Sequence, residues 1–420
     1  MANSNVPASS QSNAPLKVIP NDPVPRDEAI YLASLSPGFC EDVHANSADR
    51  DLPAGLNYKD LNPLDPASKL FYSPYVMTSA GQALGNTKPC IIKNRDRTSN
   101  LVLADSGGYS AASGGLIIRG NNDRRKILRW QEAVGDVCFT LDSPTKQRGV
   151  QVPKTQAACL NETLAHLRFY QSNRRNPDTY WLNCLQGNDV AFADLWYDQV
   201  KVFNFQSFAF AGPLRHNFHL MMRRLLQIMD EKRLEDIKWL HVLGTSEIET
   251  ALMLSAIQRS INKYVSPYLR FSFDTGAPSR MLNWNSIYTG LQVGGGKMVT
   301  KQEEAPEGPE YLGSSEPWPW RSALGSRLTM GDVTQSPEHG DGIYRDTQSN
   351  NYLVHMNLTT LCQSIAEANR RFKDEQATGN HTFAVHVAAA AEAVDEIFRS
   401  GGSRALLHAH RGRFAALRRG

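Results

Sequence analysis

Leu101–Asp142 reads LVLADSGGYSAASGGLIIRGNNDRRKILRWQEAVGDVCFTLD, and it holds one complete unit of the fold. It opens on an apolar, β-prone run (LVLADS, residues 101–106) and closes on another (VCFTLD, 137–142). Between them Arg124–Val134 has the apolar spacing of an amphipathic helix. The same strand–helix alternation continues downstream. Strands are expected at Tyr180–Gln186, Gln206–Gly212, Trp239–Gly244 and Arg270–Thr275, and helices at Gln156–Ser172, Asp189–Val200, Asn217–Lys232 and Ser246–Asn262. Nearly continuous apolar strands alternating with helices indicate a parallel sheet covered by helices. Six such strands favour an α/β fold of the (β/α)8 TIM-type barrel over a smaller doubly wound sheet.

The flanks have a different texture. Residues 1–26 are rich in Ser, Asn, Pro and Ala and read as a disordered lead-in. From Asp27 to Asn100 the pattern is irregular, with Pro and Asn breaks. After Ser279 the rhythm fails, and an insertion is expected near residues 294–350, followed by helices at Leu358–Lys373 and Thr382–Arg399. The barrel domain thus runs from 27 to 398. Residues 399–420 form a basic C-terminal tail with six arginines and no carboxylate.

Composition bounds the function classes. In 420 residues, 41% are hydrophobic and 21% charged, which excludes a wholly disordered or fibrous chain. The 45 Lys and Arg against 42 Asp and Glu leave +3, too little by itself to imply a nucleic-acid partner. No apolar run approaches the roughly 18 residues of a membrane span, and Met1–Pro25 lacks a signal-peptide pattern. The six cysteines are scattered without a CxxC or CxC pair, so neither a disulfide framework nor a zinc knuckle is indicated. A reduced, cytoplasmic setting is expected.

Each expected strand ends in or beside a residue suited to a site: Asp105, Asp142, Gln186, Gly212, Gly244 and Asp274. In a barrel the C-terminal strand ends meet on one face, where active sites lie. Three carboxylates and an amide, far apart in sequence, should therefore converge.

Two of these ends carry specific motifs. Leu103–Tyr109 (LADSGGY) and Phe273–Arg280 (FDTGAPSR) resemble the signatures of the tRNA-guanine transglycosylase superfamily, with Ser279 where the family has Thr. Phe139–Asp142, Leu185–Gly187, Phe208–Gly212 and His355–Arg370 are weaker matches in the right order. The resemblance covers roughly Leu101 to Arg370. It implies an enzyme that exchanges guanine in a polynucleotide for a free 7-deazaguanine base without breaking the backbone. By resemblance Asp274 is the nucleophile that holds the sugar through C1′, and Asp105 is the general acid/base. Asp142 is implied to read the base N1 and 2-amino groups, and Gln186 and the Gly212 N–H to read O6. Tyr109 is implied to stack on the base, Leu243 to close its other face, and Ser106 to line the pocket.

The departures are informative. The family's CxC-x2-C zinc cysteines are absent, and His355 alone cannot replace them, so no metal or other cofactor is expected. Pro213 and Pro144 alter the loops around the base. Since the zinc region helps the bacterial enzymes to position tRNA, its loss points to the DNA-guanine transglycosylase branch of phages and bacteria. The expected partners are DNA and a free 7-deazaguanine such as preQ0, in the host cytoplasm if the gene is a phage's. Arg280, Arg124, Arg125, Arg411, Arg413, Arg418 and Arg419 are candidate phosphate contacts. The alternatives are a tRNA-guanine transglycosylase acting on tRNA, a non-catalytic nucleic-acid-binding subunit, and a barrel glycoside hydrolase. Retention of both Asp105 and Asp274 opposes the second, and a guanine-reading set opposes the third.

Overall fold

The computed structural model describes residues 16–46, 48, 50–53, 55–145, 154–335, 342, 344–379 and 384–417. Eight parallel strands close into a barrel. They are β1 (Ile30–Ser34), β2 (Tyr75–Ser79), β3 (Leu101–Asp105), β4 (Val137–Phe139), β5 (Tyr180–Leu185), β6 (Ser207–Phe210), β7 (Trp239–Val242) and β8 (Arg270–Thr275). β8 pairs back onto β1 with Asp274 opposite Leu32. Helices Asn121–Val134, Gln156–Asn173, Val190–Val200, Phe218–Asp230 and Ile248–Tyr264 follow β3 to β7 in turn. The (β/α)8 expectation is therefore met.

Side-chain alternation divides each strand between two cores. Ile30, Leu32, Met77, Leu101, Leu103, Phe139, Leu182 and Trp239 fill the barrel interior. Tyr31, Val102, Ala104, Trp181, Phe208, Phe271 and Phe273 face the helices. Such a packed interior leaves the chemistry to the strand ends.

Three expectations are corrected. The stretch 27–100 holds β1 and β2. Each has only five residues, and between them lie Pro and Asn breaks and short helical turns rather than a long amphipathic helix, so no strand–helix rhythm marks them. Residues 16–26 are not a disordered lead-in: Leu16, Ile19 and Val24 pack against the barrel interior, and Lys17 donates to the Asn100 carbonyl. Their three apolar side chains outweigh a polar average. Residues 1–15 lie outside the described residues. Finally, most of residues 399–420 form helices, Arg404–Ala409 and Arg411–Ala416, whose Leu407 and Phe414 are buried. These helices pack against Phe218–Asp230 and Val385–Arg399.

The expected insertion begins as an antiparallel hairpin, β9 (Ser286–Gly294) and β10 (Lys297–Glu304), turned at Gly295 and Gly296. Helix Thr347–Thr378 packs along β9 and starts well before the expected Leu358, capped by Asp346, which accepts from the Ser349 N–H. No described helix is long and apolar enough to cross a membrane.

Candidate active site

The strand ends bring the carboxylates together. Asp105 closes β3 and Asp274 lies near the end of β8, whereas Asp142 comes three residues beyond β4. Phe139 belongs to the barrel interior but Leu141 to the outer core, so the alternation slips between them. That slip brings Asp142 to the mouth. Gly107 takes a left-handed conformation (φ 81°). At Gly108 a Cβ would stand 2.6 Å from Asp142 Oδ1. The paired glycines of DSGGY thus let the β3 turn lie directly on Asp142.

Asp274 is buried and held through one oxygen. Its Oδ1 accepts from the Gly244 N–H at 2.7 Å and lies 3.0 Å from His241 Nε2. His241 is itself oriented from behind: its Nδ1 lies 2.7 Å from Ser272 Oγ, which accepts from Trp239 Nε1 at 2.7 Å. A carboxylate oxygen can only accept, so the imidazole proton that serves Asp274 stands on Nε2, while the Ser272 hydroxyl lies within reach of both Nδ1 and, at 3.4 Å, the Leu240 carbonyl. Among the described residues no hydrogen bond reaches Asp274 Oδ2.

Asp105 accepts from Ser79 Oγ at 2.6 Å. Burial raises its pKa and the Asp274 charge adds to this, against the hydrogen bonds from Ser79, Gly107 and Ser106. Asp142 accepts from Gln186 Nε2 at 2.7 Å. Burial, with a smaller push from Asp105, moves its pKa up to about 7 although the Gln186 bond opposes this. Asp105 thus feels Asp274, and Asp142 feels Asp105. Asp274 is braced by two donors, and Asp105 and Asp142 are biased towards holding protons.

The remaining candidates divide. Tyr109 is 61% exposed at the rim, where an aromatic face is open to stack. Leu243 is half-buried beside the interior core, and Gly212 abuts Gln186. Gln186 presents its amide to Asp142, leaving one N–H for a ligand. Ser106 is fully buried, its hydroxyl turned to the Thr140 carbonyl at 3.4 Å, so it ties β3 to the β4 end. Arg280 is exposed just after β8 and donates to Thr275 Oγ1 at 3.3 Å. Arg124 donates to His166 Nδ1 at 2.8 Å, and Arg125 lies over Phe169, so both are tied to their own helical layer. Arg413 donates to the Ala389 carbonyl and lies near Glu392, whereas Arg411 is exposed. Arg418 and Arg419 lie outside the described residues.

Ser79, His241 and Ser272 were not foreseen. His241 had a signal, a polar residue at an inward position of the apolar run WLHVLG. Ser79 ends β2, which itself had none.

The zinc ion of the resembled family does not fit these residues. His355 is buried with neither ring nitrogen hydrogen-bonded, and its pKa is pushed down to about 4 by burial. Among the described residues no three His, Cys, Asp or Glu gather as a metal site. No protein-family model matches the chain, and no curated protein compared with it is significantly similar.

Proposed function

We propose that the protein is a base-exchange transglycosylase that replaces guanine in DNA with a 7-deazaguanine such as preQ0. The observation that carries this reading is the convergence of Asp105, Asp142 and Asp274 at one barrel mouth, with Gln186 bonded to Asp142. Exchange at an anomeric carbon with retention needs two inversions, hence a nucleophile and an acid/base partner.

In the first step Asp274 Oδ2 attacks C1′ while the C1′–N9 bond of guanine breaks and Asp105 gives the departing base a proton. In the second step the incoming base loses its N9 proton to Asp105, N9 attacks C1′, and the Asp274 ester bond breaks. The Gly244 N–H and His241 act on Oδ1 throughout, so they orient the carboxylate without occupying the attacking oxygen. The raised pKa of Asp105 suits a group that starts protonated. Asp142 as an anion accepts from the N1 and 2-amino groups of the base, and Tyr109 stacks on a base withdrawn from its helix.

DNA is preferred to tRNA because the chain lacks the zinc-site cysteines through which the resembled tRNA enzymes position their substrate. Nucleoside mass spectrometry of DNA and tRNA from cells expressing the protein with a 7-deazaguanine supply tests the choice. Modified deoxynucleoside supports the proposal. Modified tRNA with unmodified DNA transfers the activity to tRNA.

A further inference from the structure

We infer that the strand bearing the target nucleotide runs along a groove between the β6 and β7 loops and the β9–β10 hairpin, with Arg215 and Lys297 contacting its phosphates. The inference rests on the base-exchange reading and gives that reading a path for the polynucleotide.

The groove is a cavity of about 770 Å³. Gly212, Arg215 and His216 line it on the β6 side, Glu247 and Glu249 at the start of helix Ile248–Tyr264, and Lys297 on the hairpin. It lies near the upper end of the size range of ligand pockets, more than a free base requires.

Two independent links join it to the reacting centre. The first is Gly212, which lines the groove and where a Cβ would stand 2.8 Å from Gln186 Oε1. The base-reading amide and the groove are thus neighbours. The second is Gly244, whose N–H holds Asp274 Oδ1. A Cβ there would stand 2.5 Å from Arg215 Nη1, which also donates to the Leu243 carbonyl at 3.3 Å. The guanidinium therefore lies against the turn that braces the nucleophile. A nucleotide with its base on Asp142 and Gln186 and its C1′ at Asp274 has its sugar between these two links. Its phosphates leave past Gly212 and Gly244, into the groove.

The charges are placed to suit that course. Arg215 Nε donates to His216 Nε2 at 2.8 Å, which keeps the planar fork at the rim. Such a fork matches phosphate oxygens. Lys297 is exposed at the hairpin turn on the opposite side. The two acids stand apart on the helix side, where Glu249 Oε2 lies 2.8 Å from His386 Nε2 and Glu247 accepts from the Thr250 hydroxyl at 3.2 Å. The backbone is thereby directed between Arg215 and Lys297.

The test is binding of a fluorescein-labelled, guanine-containing single-stranded oligodeoxynucleotide across a salt series, for the full chain and for Arg215→Ala, Arg215→Lys and Lys297→Ala. Each alanine variant is expected to weaken binding severalfold at low salt and to lower the slope of log K against log salt by about 1. Arg215→Lys should keep the slope and recover only part of the affinity. Lys297 is exposed, so its variant remains informative if Arg215→Ala fails to fold. Wild-type slopes and affinities in both alanine variants, alongside guanine exchange by the unaltered protein, would overturn the groove alone. Absence of exchange into any polynucleotide by the unaltered protein would overturn the base-exchange reading and the groove with it.

Discussion

At the N-terminal ends of the strands, Tyr75, Leu101, Trp239 and Arg270 are covered by residues 16–26. There Asp22 faces Arg270 at 3.6 Å and accepts from the Tyr75 hydroxyl. At the opposite end of the barrel, Asp105, Asp142 and Asp274 lie at the C-terminal ends of β3, β4 and β8. Among the described residues none of the three has a Lys or Arg ion-pair partner. The bottom is capped by apolar side chains and an Asp22–Arg270 ion pair around a cavity of about 280 Å³. The top concentrates like charges, which costs stability and yields groups with shifted protonation. Strand direction thus separates the part of the barrel that holds it together from the part that carries the candidate site.

The largest effect should come from Asp274. Asp274→Asn is expected to abolish guanine exchange and the denaturation-resistant protein–DNA adduct; an adduct that persists places the nucleophile elsewhere. Asp105→Asn should slow exchange by about 10²–10⁴-fold. Rates restored by a base whose departure needs no proton would identify the lost function as proton transfer.

Asp142 gives a pH signature. Its carboxyl must ionise to receive the base N–H groups, and its free value is about 7. Guanine binding should therefore weaken about tenfold per pH unit below 7 and level off above it. Because the fold favours the protonated carboxyl, its stabilising contribution is full below about pH 4 and lost as pH rises through 7. Asp142→Asn should remove the binding trend and reduce the stability trend, the remainder of which Asp105 shares, as seen by calorimetry and by melting temperature across pH. A flat binding profile in the unaltered protein would remove Asp142 from the base contacts.

His241→Phe takes away the Nε2–H from Asp274 and should lower kcat by about 10- to 100-fold, on the scale of a hydrogen bond to a charged group. Its KM should hold, and His241→Gln should restore part of the rate. Equal losses in kcat with Phe and Gln would reduce His241 to packing against Phe139, whose ring centroid is 4.9 Å away. The smallest effect concerns the N-terminal end. Ile19→Ala should cost about 2–4 kcal/mol in urea unfolding with exchange per folded molecule unchanged. Lost activity at full stability would show that the two ends are coupled.

The end with the candidate site was more legible than the N-terminal end. Asp105 ends an apolar run and Asp274 follows the Phe-Ser-Phe of a β-prone one, so strand-end position and the DSGGY and FDTGAPSR motifs both marked them. Asp142 was also found, although the strand before it ends at Phe139 and a slip in alternation delivers it. β1 and β2 were hidden because the chain between them holds only one short α-helix among its described residues, Pro37–Ala45, amid Pro and Asn breaks, and Ser79 was hidden with them. His241 looked like any polar residue in a buried strand until Ser272 and Trp239 were seen behind it. Leu407 and Phe414 were masked by the arginines around them, and Ile19 by the prolines and asparagines of the lead-in. In each case a few apolar contacts, distant in sequence, outweighed the local composition.

The most direct test of the central claim is exchange of isotopically labelled guanine into guanine-containing DNA by the purified full chain, read as labelled deoxyguanosine after digestion. Base exchange through Asp274 requires label in DNA, its displacement by preQ0, and none with Asp274→Asn. An unaltered protein that leaves DNA unlabelled at every pH from 5 to 9 while labelling tRNA, or that labels neither, would contradict it.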